Sequence, residues 1–527
     1  MKVSQSFKIV CLLYAMMLPA LVQAQLSYTT NNDGTLSVSQ YIGGGAVTVP
    51  DSVNGMRVTG IGDSAFFDCP YLTSITIGTN IVSIGNWAFL QCYNLADLVI
   101  PRSVTNIGNG VFAYCNSLTS FTVDTNNHAY VTVSGVLFSQ DKSTLVEFPG
   151  AVGGSYTIPD TVTSIRDGAF YGCNSLTSVT IPNGVTSIGN EVFFNCGALK
   201  SMTIPSSVTN IGSSAFYSCQ WLPNITIPNG VTSIGDSAFD YCWGLTNVMI
   251  PNSVTSIGNN AFADCQYLVG VTIPNSLTNI GNGVFSDCYD LTSITIPNSV
   301  ISIGDNAFYD CGNLTNLVIG TNVASIGNEA FYWCPKATSV IIPDSVSSIG
   351  DEAFFRWASL TNLVIGNNVA SIGNSAFSSC YGLTQVRFPS SVTNIGTSAF
   401  AGCNSLTNVL FLGNAPTADS SVFTSSPATV NYLQNATGWS TTFGSRPTVL
   451  WLLQIRNFNR SWGPKTNQYG FNFNWPSSLT VVVEASTNLN NSGWSQLATN
   501  ILANNSSYFS DPNWTNYHCR FYRLRWR

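Results

Sequence analysis

The chain has 527 residues, too many for one compact core, so we expect several domains or one extended array. Only 8% of the residues are charged but 45% are hydrophobic, which excludes a disordered chain. From residue 450 onward the chain has seven basic and two acidic side chains, whereas the part before residue 450 has a net negative charge. This longer acidic part would repel the phosphates of a nucleic acid, which excludes nucleic acid as a partner.

Residues 1–24 have the pattern of a secretory signal. A positive start and a short apolar stretch at 9–18 precede the small residues of Val22-Gln23-Ala24, which a signal peptidase would read. Cys11 has no lipoprotein-type cleavage context, which argues against a lipid anchor. No later apolar run is long enough to span a bilayer. We therefore predict an exported protein that begins near Gln25 and has no transmembrane segment.

A 23-residue repeat dominates the middle of the chain. Residues 25–57, with the strand-like runs DGTLSV and AVTVP, are predicted to cap its amino end. The array follows at 58–411, where isoleucines recur every 23 residues except for one step of 58. A typical unit, residues 291–313, reads LTSITIPNSVISIGDNAFYDCGN. A fixed period of this length is the signature of a solenoid, in which stacked units share one continuous core.

Each part of the unit predicts a local structure. LTSITIP alternates apolar and polar residues, which is typical of a strand with one buried face, and the proline ends it. The SIG segment predicts a second short extended piece. The Asp or Asn after the glycine is predicted to be the N-cap of a single helical turn that carries the Ala-Phe pair and the cysteine.

Three further segments interrupt or follow the array. The insertion at 124–158 contains VSGVLF and TLVEFP around SQDKS, which predicts a β-hairpin that projects from the solenoid. Residues 412–451 show no repeat signal and are predicted to form a C-terminal cap. In residues 452–527, LTVVVEAS and RFYRLRWR predict strands of a small β-sandwich-like module.

The period, the core pattern I-G-x-x-A-F-x-x-C-x-x-L and the I-P strand ending resemble the BspA-like class of leucine-rich repeats over residues 58–411. The resemblance implies a repeat solenoid, a right-handed superhelix of short parallel β-strands and single helical turns, followed here by the small all-β module. Members of the class are typically bacterial or protozoan surface and secreted proteins, and some act in adhesion. A binding role is implied, but the motif residues are core residues and identify no ligand.

Thirteen of the fifteen cysteines occupy one repeat position. They lack the C-x-x-C spacing of a metal site, and stacked side chains that point the same way are poorly placed for disulfides. Trp357 takes the position in one unit, which indicates a site for a buried apolar filler. We predict a column of buried free thiols.

Catalytic chemistry has little support in this sequence. The two histidines, His128 and His518, lie in no catalytic motif, so we predict neither an enzyme nor a cofactor. Asp264, Asp287 and Asp310 precede the cysteine in three successive units. We interpret them as a solvated edge, with a bridging cation such as calcium as the weaker alternative.

Two sets of residues are candidate binding surfaces. Aromatic residues lie between the Phe and the Leu of the unit, where they either contact a partner or cover the edge of the core. The candidates are Trp221, Trp243, Tyr267, Tyr289 and Trp333. At the outward strand position, threonine in the early units gives way in the closing units to Val318, Ile341, Val364, Arg387 and Leu410. This strip is either a contact site or the product of strand propensity.

The hypothesis that follows is a non-enzymatic secreted or cell-surface interaction protein, whose array binds a protein or glycan ligand on a cell or matrix surface. One alternative is a structural component of an envelope or matrix. The other is a carbohydrate-binding surface protein that uses the aromatic flank or the terminal module. A glycan array and a pull-down against envelope and matrix proteins would separate the three.

Overall fold

The structure, a computed structural model, describes residues 25–451 and, further on, 454–455, 463–465, 468–474, 480–487, 494–501, 506–513, 516 and 521–526. The predicted signal at 1–24 lies outside the described residues. The chain divides into two compact units, Met1–Val430 with Gly438–Pro447, and Asn431–Thr437 with Thr448–Arg527.

The first unit is a solenoid of about seventeen turns, as the repeat predicted. Its first ladder of strands comes from the LTSITIP segments and their equivalents, and hydrogen-bonded neighbours are parallel and 23 residues apart in the regular units, as Ile294 is with Leu317. The strands of this ladder are Gly45–Thr48, Leu72–Thr76, Asp97–Ile100, Thr122–Val123, Gly154–Thr157, Leu176–Thr180, Ser201–Thr203, Asn224–Thr226, Asn247–Met249, Gly270–Thr272, Ser293–Thr295, Asn316–Val318, Ser339–Ile341, Asn362–Val364, Gln385–Phe388, Asn408–Phe411 and Thr429–Leu433.

A second ladder of shorter parallel strands comes from the SIG segments, which confirms the predicted second extended piece. Its members are Leu36–Ile42, Met56–Ile61, Ser83–Ile84, Asn106–Ile107, Thr144–Glu147, Ser164–Ile165, Ser187–Ile188, Asn210–Ile211, Ser233–Ile234, Ser256–Ile257, Asn279–Ile280, Ser302–Ile303, Ser325–Ile326, Ser348–Ile349, Ser371–Ile372 and Asn394–Ile395. Thr417 extends it through one bridge to Asn394. The isoleucine of each pair points into the core, which explains its strict recurrence.

The third side of the repeat contains turns, and the predicted single helical turn is wrong. Each unit has two residues with left-handed backbone angles around its phenylalanine, such as Asn306 (φ 56°) and Asp310 (φ 48°) around Phe308. A right-handed helix cannot pass through such residues. The Phe308 N–H instead donates to the carbonyl of Ala330 on the next rung, at 2.8 Å.

The predicted N-cap role of the Asp or Asn after the glycine is also wrong. The side chain acts between rungs, since Asp305 Oδ1 accepts the backbone N–H of Asn328 at 2.7 Å. The Asn328 side chain in turn accepts the N–H of Asp351 at 2.9 Å. The residues form a hydrogen-bonded ladder along the solenoid, and each one satisfies a backbone donor of the following unit.

Phenylalanine forms the spine of the core. The rings of successive rungs stack with centroids 4.8 to 5.9 Å apart, in one run from Phe66 to Phe112 and another from Phe148 to Phe423. Each ring thus contacts its two neighbours, and the buried Ile, Val and Leu side chains fill the space around the stack.

Three turns of the solenoid lie in segments where the sequence shows no repeat. Tyr41, in the predicted N-terminal cap, begins the spine with its ring 5.2 Å from that of Phe66. Phe148 of the insertion stacks on Phe170 at 4.9 Å, and Phe423, in the predicted C-terminal cap, lies 5.9 Å from Phe400. The caps and the insertion are therefore degenerate repeat units.

The remaining strands of this unit are antiparallel. They are Gln25–Thr30 beside Leu36–Ile42, Ser52–Val53 beside Met56–Ile61, the pair Tyr130–Val133 and Val136–Ser139, and Thr442–Phe443 beside Arg446 and Pro447, the first two residues of the strand Arg446–Trp451. The predicted hairpin of the insertion exists, because Val136–Ser139 pairs antiparallel with Thr144–Glu147. Its apolar side chains are buried, so it lies in the core instead of projecting.

Two side chains, one acidic and one basic, connect the rungs on either side of and within the insertion. Phe112 has no regular unit after it, and its N–H donates to Oε1 of the buried Glu147 at 3.2 Å. Arg166 replaces the usual glycine, and its guanidinium donates to the carbonyls of Ile107 and Gly108. Burial raises the pKa of Glu147 well above its ordinary value. Glu147 and Arg166 thus pair with backbone groups that, in the regular units, pair with the backbone of the adjacent rung.

The second unit contains two antiparallel sheets. One is formed by Gln454–Ile455, Gly463–Lys465, Gln468–Asn474 and Ser506–Asp511, the other by Thr480–Ser486, Ser495–Ile501 and Phe521–Trp526. Thr480–Ser486 of LTVVVEAS and Phe521–Trp526 of RFYRLRWR thus form strands, as predicted. Arg523 joins two of these strands through a 2.7 Å ion pair with Glu484, and its guanidinium also lies 4.4 Å from the Trp494 ring. Nowhere in the described chain is there a helix that is long and apolar enough to cross a bilayer.

Candidate binding surfaces

The outward side of the first ladder carries the predicted apolar strip. In each strand the middle residue points into the core and its neighbours point to solvent. The exposed fractions are 46% for Val318, 62% for Ile341 and 45% for Val364. Ile341 and Val364 lie side by side in parallel register. Three β-branched apolar side chains therefore stack on adjacent rungs in contact with solvent.

The strip ends earlier than the sequence predicted. Leu410 was expected to face outward but is buried. Its strand has three successive buried residues, Val409, Leu410 and Phe411, so both faces of this strand are covered and the alternation no longer separates core from solvent. Arg387, which pairs in register with Leu410, is half-buried, and this burial lowers the pKa of its guanidinium. The solvent-exposed strip is therefore Val318, Ile341 and Val364.

The same face has an apolar residue that the sequence analysis missed. Met249 occupies the outward strand position and is 76% exposed, between Thr226 and Thr272 on the adjacent rungs. The signal was present in the sequence, because Met249 stands at the repeat position where most early units have threonine. Met249 has no apolar neighbour at the outward position of the adjacent rungs, however, whereas the strip has three apolar side chains on adjacent rungs.

Four of the five predicted aromatic residues form one column. Trp221, Trp243, Tyr267 and Tyr289 lie one or two residues after the cysteine on four successive rungs, and we call them the aromatic column. They are exposed by 68%, 38%, 56% and 54%. The backbones of two neighbouring members are joined, since the Tyr267 N–H donates to the Trp243 carbonyl at 3.3 Å.

A polar line continues the aromatic column. The Tyr289 ring covers Gly312 on the next rung, where a Cβ would lie 2.5 Å from ring atom Cε2, so only glycine fits beneath the ring. Beyond it the Asn313 amide donates to Asp290 at 2.8 Å, and the Lys336 ammonium donates to the Asn313 side-chain oxygen. Flat aromatic rings and hydrogen-bonding groups thus follow one another along the same side of the array.

The repeat pattern also matches a known family. A model described as BspA type Leucine rich repeat region (6 copies) matches residues 47–153, 154–269, 265–354 and 324–438. The chain belongs to the BspA-type leucine-rich repeat family. No curated protein matches it.

Three solved structures of bacterial proteins are similar to this BspA-type chain. A leucine-rich repeat protein from Bacteroides ovatus is 29% identical, with 73% of this chain and 93% of that chain covered and a TM-score of 0.47. A leucine rich cell surface protein from Faecalibacterium prausnitzii is 24% identical, with 78% and 94% covered and a TM-score of 0.36. A leucine-rich repeat protein from Eubacterium ventriosum is 22% identical, with 64% and 93% covered and a TM-score of 0.35.

Trp333, the fifth predicted aromatic residue, lies apart from the aromatic column of this BspA-type array. It precedes the cysteine of its unit and has a left-handed backbone (φ 53°). The Arg356 guanidinium lies 5.3 Å from the Trp333 ring and 5.6 Å from that of Phe355. Phe355 in turn ends a stack with Tyr332 and Tyr309, whose neighbouring ring centroids are 4.9 and 4.7 Å apart. One face of Trp333 is thus already occupied by a neighbouring cation.

The acidic column of the BspA-type units has a backbone explanation. Asp264, Asp287 and Asp310 have φ angles of 50°, 57° and 48°, a conformation that Asp tolerates better than most residues. All three are half-buried, and burial together with the charge of Asp287 raises the pKa of Asp264 and Asp310. Within the described ranges no three His, Cys, Asp or Glu side chains are grouped so that they could hold a metal ion.

A fourth carboxylate, which the sequence analysis did not single out, lies beside this column. Asp240 is buried, and its Oδ2 accepts a hydrogen bond from Ser237 at 3.1 Å. Its Oδ1 has no hydrogen-bond partner among the residues that the structure describes. Burial, with the nearby charge of Asp264, raises the pKa of Asp240 to about 6.

The ladder cysteines of the BspA-type units are free and buried. Each thiol from the second one onward donates to the phenylalanine carbonyl of the preceding rung, as Cys265 does to Phe239 at 3.3 Å. Cys173, the first after the insertion, is the exception in this set. Burial raises the pKa of Cys196 and Cys242 to about 12, so these thiols are protonated and unreactive at neutral pH.

Proposed function

We propose that this protein is a non-enzymatic, secreted or cell-surface interaction protein, whose array binds a protein partner through the outward face of the first ladder. The observation that carries the proposal is the exposed strip of Val318, Ile341 and Val364 on adjacent rungs. Membership of the BspA-type family supports the interaction role. A contiguous exposed apolar patch bordered by polar residues is characteristic of protein contact sites.

The surroundings of the strip favour a contact role over simple strand propensity. The positions two residues earlier in the same strands are Asn316, Ser339 and Asn362, all polar and exposed. Threonine, which also favours strands, serves the outward position in most earlier units. An apolar core with a polar rim is the arrangement expected of an interface.

The test uses full-length protein and immobilised extracellular matrix and envelope proteins, with binding measured by surface plasmon resonance. The double variant Ile341→Thr/Val364→Thr should weaken capture at least tenfold, because it replaces the strip with the residue found on the earlier rungs. Met249→Thr is the matched control, since it removes a more exposed apolar side chain from the same face, and it should bind like wild type. Equal binding by the double variant and wild type would contradict the proposal.

A structural role as an envelope or matrix component is the second candidate. The hydrogen bonds between successive rungs and the stacked phenylalanine rings favour it, because they suit a rigid spacer. The structural role would be preferred if two results were obtained together. Wild-type protein would capture no matrix or envelope protein, and the Ile341→Thr/Val364→Thr variant would be found in the same cell fraction as wild type.

A further inference from the structure

We propose that the aromatic column, Trp221, Trp243, Tyr267 and Tyr289, binds an extended, uncharged polysaccharide. This inference rests on the proposed surface-binding role but concerns a different set of residues from the apolar strip. It assigns a ligand class to four exposed aromatic side chains that the core does not need.

The spacing of the column fits a polymer. One exposed aromatic side chain stands on each of four successive rungs, and rungs are roughly 4.8 Å apart, the distance between hydrogen-bonded strands. This repeat is close to the length of one monosaccharide in an extended chain. Trp and Tyr combine a flat apolar ring with a polar tip, so they stack on the C–H face of a sugar ring and also reach its hydroxyl groups. A ligand with a repeating unit matches a surface with a repeating unit.

The strand positions beside the column are uncharged. From Asn224 to Val364, every strand residue of the first ladder is neutral. Thr246 and Thr292 stand just before the strands, Thr246 half-buried and Thr292 exposed. Their hydroxyl groups donate to the carbonyls of Pro223 and Val269, so they can accept a hydrogen bond from a ligand. The polar line of Asp290, Asn313 and Lys336 lies at the end of the column. Hydroxyl and amide groups such as those of the threonines and Asn313 suit the hydroxyl groups of a polysaccharide, and the line pairs one acidic with one basic side chain.

Charge decides between kinds of polysaccharide. Acidic side chains outnumber basic ones in the chain before residue 450, and the column is followed on its own side by Asp290. A sulfated or uronic-acid polymer would be repelled by this body. An uncharged chain meets no such repulsion, so the ligand class that fits is a neutral polysaccharide.

The experiment is affinity electrophoresis of the full chain in native gels that contain hydroxyethylcellulose, xyloglucan or glucomannan, with polygalacturonate as the anionic comparison. We expect at least one neutral polymer to retard wild-type protein. Trp221→Ala/Tyr267→Ala should weaken that binding at least tenfold. Tyr381→Ala is the matched control and should bind like wild type. Tyr381 is exposed one residue after its cysteine, as Tyr289 is, but neither adjacent rung has an aromatic residue one or two positions after the cysteine position.

Every outcome bears on the inference. If no neutral polymer retards wild-type protein, if only polygalacturonate does, or if the double variant is retarded as strongly as wild type, the column is not a polysaccharide site. The variant Trp221→Tyr/Tyr267→Trp keeps a ring on both rungs and should bind within about threefold of wild type, which separates loss of stacking from loss of folding. If protein capture by the apolar strip persists while polysaccharide binding is absent, this inference fails and the proposed function stands; if both are absent, both fail.

Discussion

The indole Nε1 of Trp357 donates a 2.6 Å hydrogen bond to the backbone carbonyl of Phe331, which lies 26 residues earlier in the chain. Trp357 stands where thirteen other units have cysteine, and eleven of those thiols make the same bond. In the degenerate last rung the Ser426 hydroxyl makes it too, to Phe400 at 2.7 Å. The position therefore selects a buried hydrogen-bond donor. The interpretation as an apolar filler was incomplete, since volume alone does not unite Cys, Trp and Ser.

A first prediction compares replacements of Cys265. Cys265→Ser keeps a donor for the Phe239 carbonyl and should lower the free energy of unfolding less than Cys265→Val, which keeps an apolar side chain but removes the donor. We expect Cys265→Val to cost about 1–3 kcal/mol, because a buried acceptor loses a partner and the extra methyl group must be accommodated. Denaturant unfolding followed by circular dichroism measures both. If the valine variant were the more stable of the two, the apolar-filler interpretation would be correct after all.

A second prediction concerns the oxidation state of the ladder cysteines. In native protein they should not react with a thiol reagent, because they are buried, and burial also raises the pKa of Cys196 and Cys242 to about 12. In denatured, unreduced protein most of the thirteen should react at once. Mass spectrometry of alkylated peptides identifies which ones. Six or more disulfides among them would show that the array is held by oxidation, as happens in some exported proteins.

The junction at the insertion gives a third prediction. Glu147→Gln keeps an acceptor for the Phe112 N–H and removes a carboxyl group whose ionised form is disfavoured by burial, so it should be neutral or slightly stabilising. Glu147→Ala leaves that donor unsatisfied and opens a cavity, so it should destabilise by about 2–4 kcal/mol. Hydrogen exchange at the Phe112 amide reports on this bond directly. Slow exchange in the alanine variant, equal to that of wild type, would mean that Glu147 does not hold the junction.

The sequence predicted the regular part of this fold because one rule applies to every unit: a buried isoleucine, phenylalanine and leucine recur at 23-residue spacing. It missed the rungs that contain Tyr41, Phe148 and Phe423, because their segments differ in length and composition and only the three-dimensional stacking shows their equivalence. The helical turn was a wrong prediction for a related reason. Residues as different as Ser237 and Trp333 take the left-handed positions, so no residue type marks them.

The candidate surfaces were predictable to a similar extent. Alternation along a strand identified Val318, Ile341 and Val364 as outward-facing, and the structure exposes all three. The same rule placed Leu410 outside, but alternation cannot tell when a strand is covered on both faces. The aromatic residues were correctly placed on the flank of the unit. The backbone geometry was needed to see that Trp333, which precedes its cysteine, is separate from the aromatic column, whose members follow theirs.

The last prediction concerns Asp240 and pH. Burial raises the pKa of this carboxyl to about 6, so folded protein binds the proton more tightly than unfolded protein, whose Asp titrates near its ordinary value of 3.8. The sign follows from linkage: its contribution to stability is fully present below about pH 4, falls as the pH rises through about 6, and is constant above that. Asp240→Asn removes this titration and should be more stable than wild type at pH 7.5 by on the order of 2 kcal/mol, with little or no advantage at pH 3.5. The difference in Tm between variant and wild type, measured by calorimetry at the two pH values, is the readout, and Asp97→Asn on an exposed strand position is the control for loss of an acidic charge. A difference that does not change with pH would show that Asp240 does not titrate in this range.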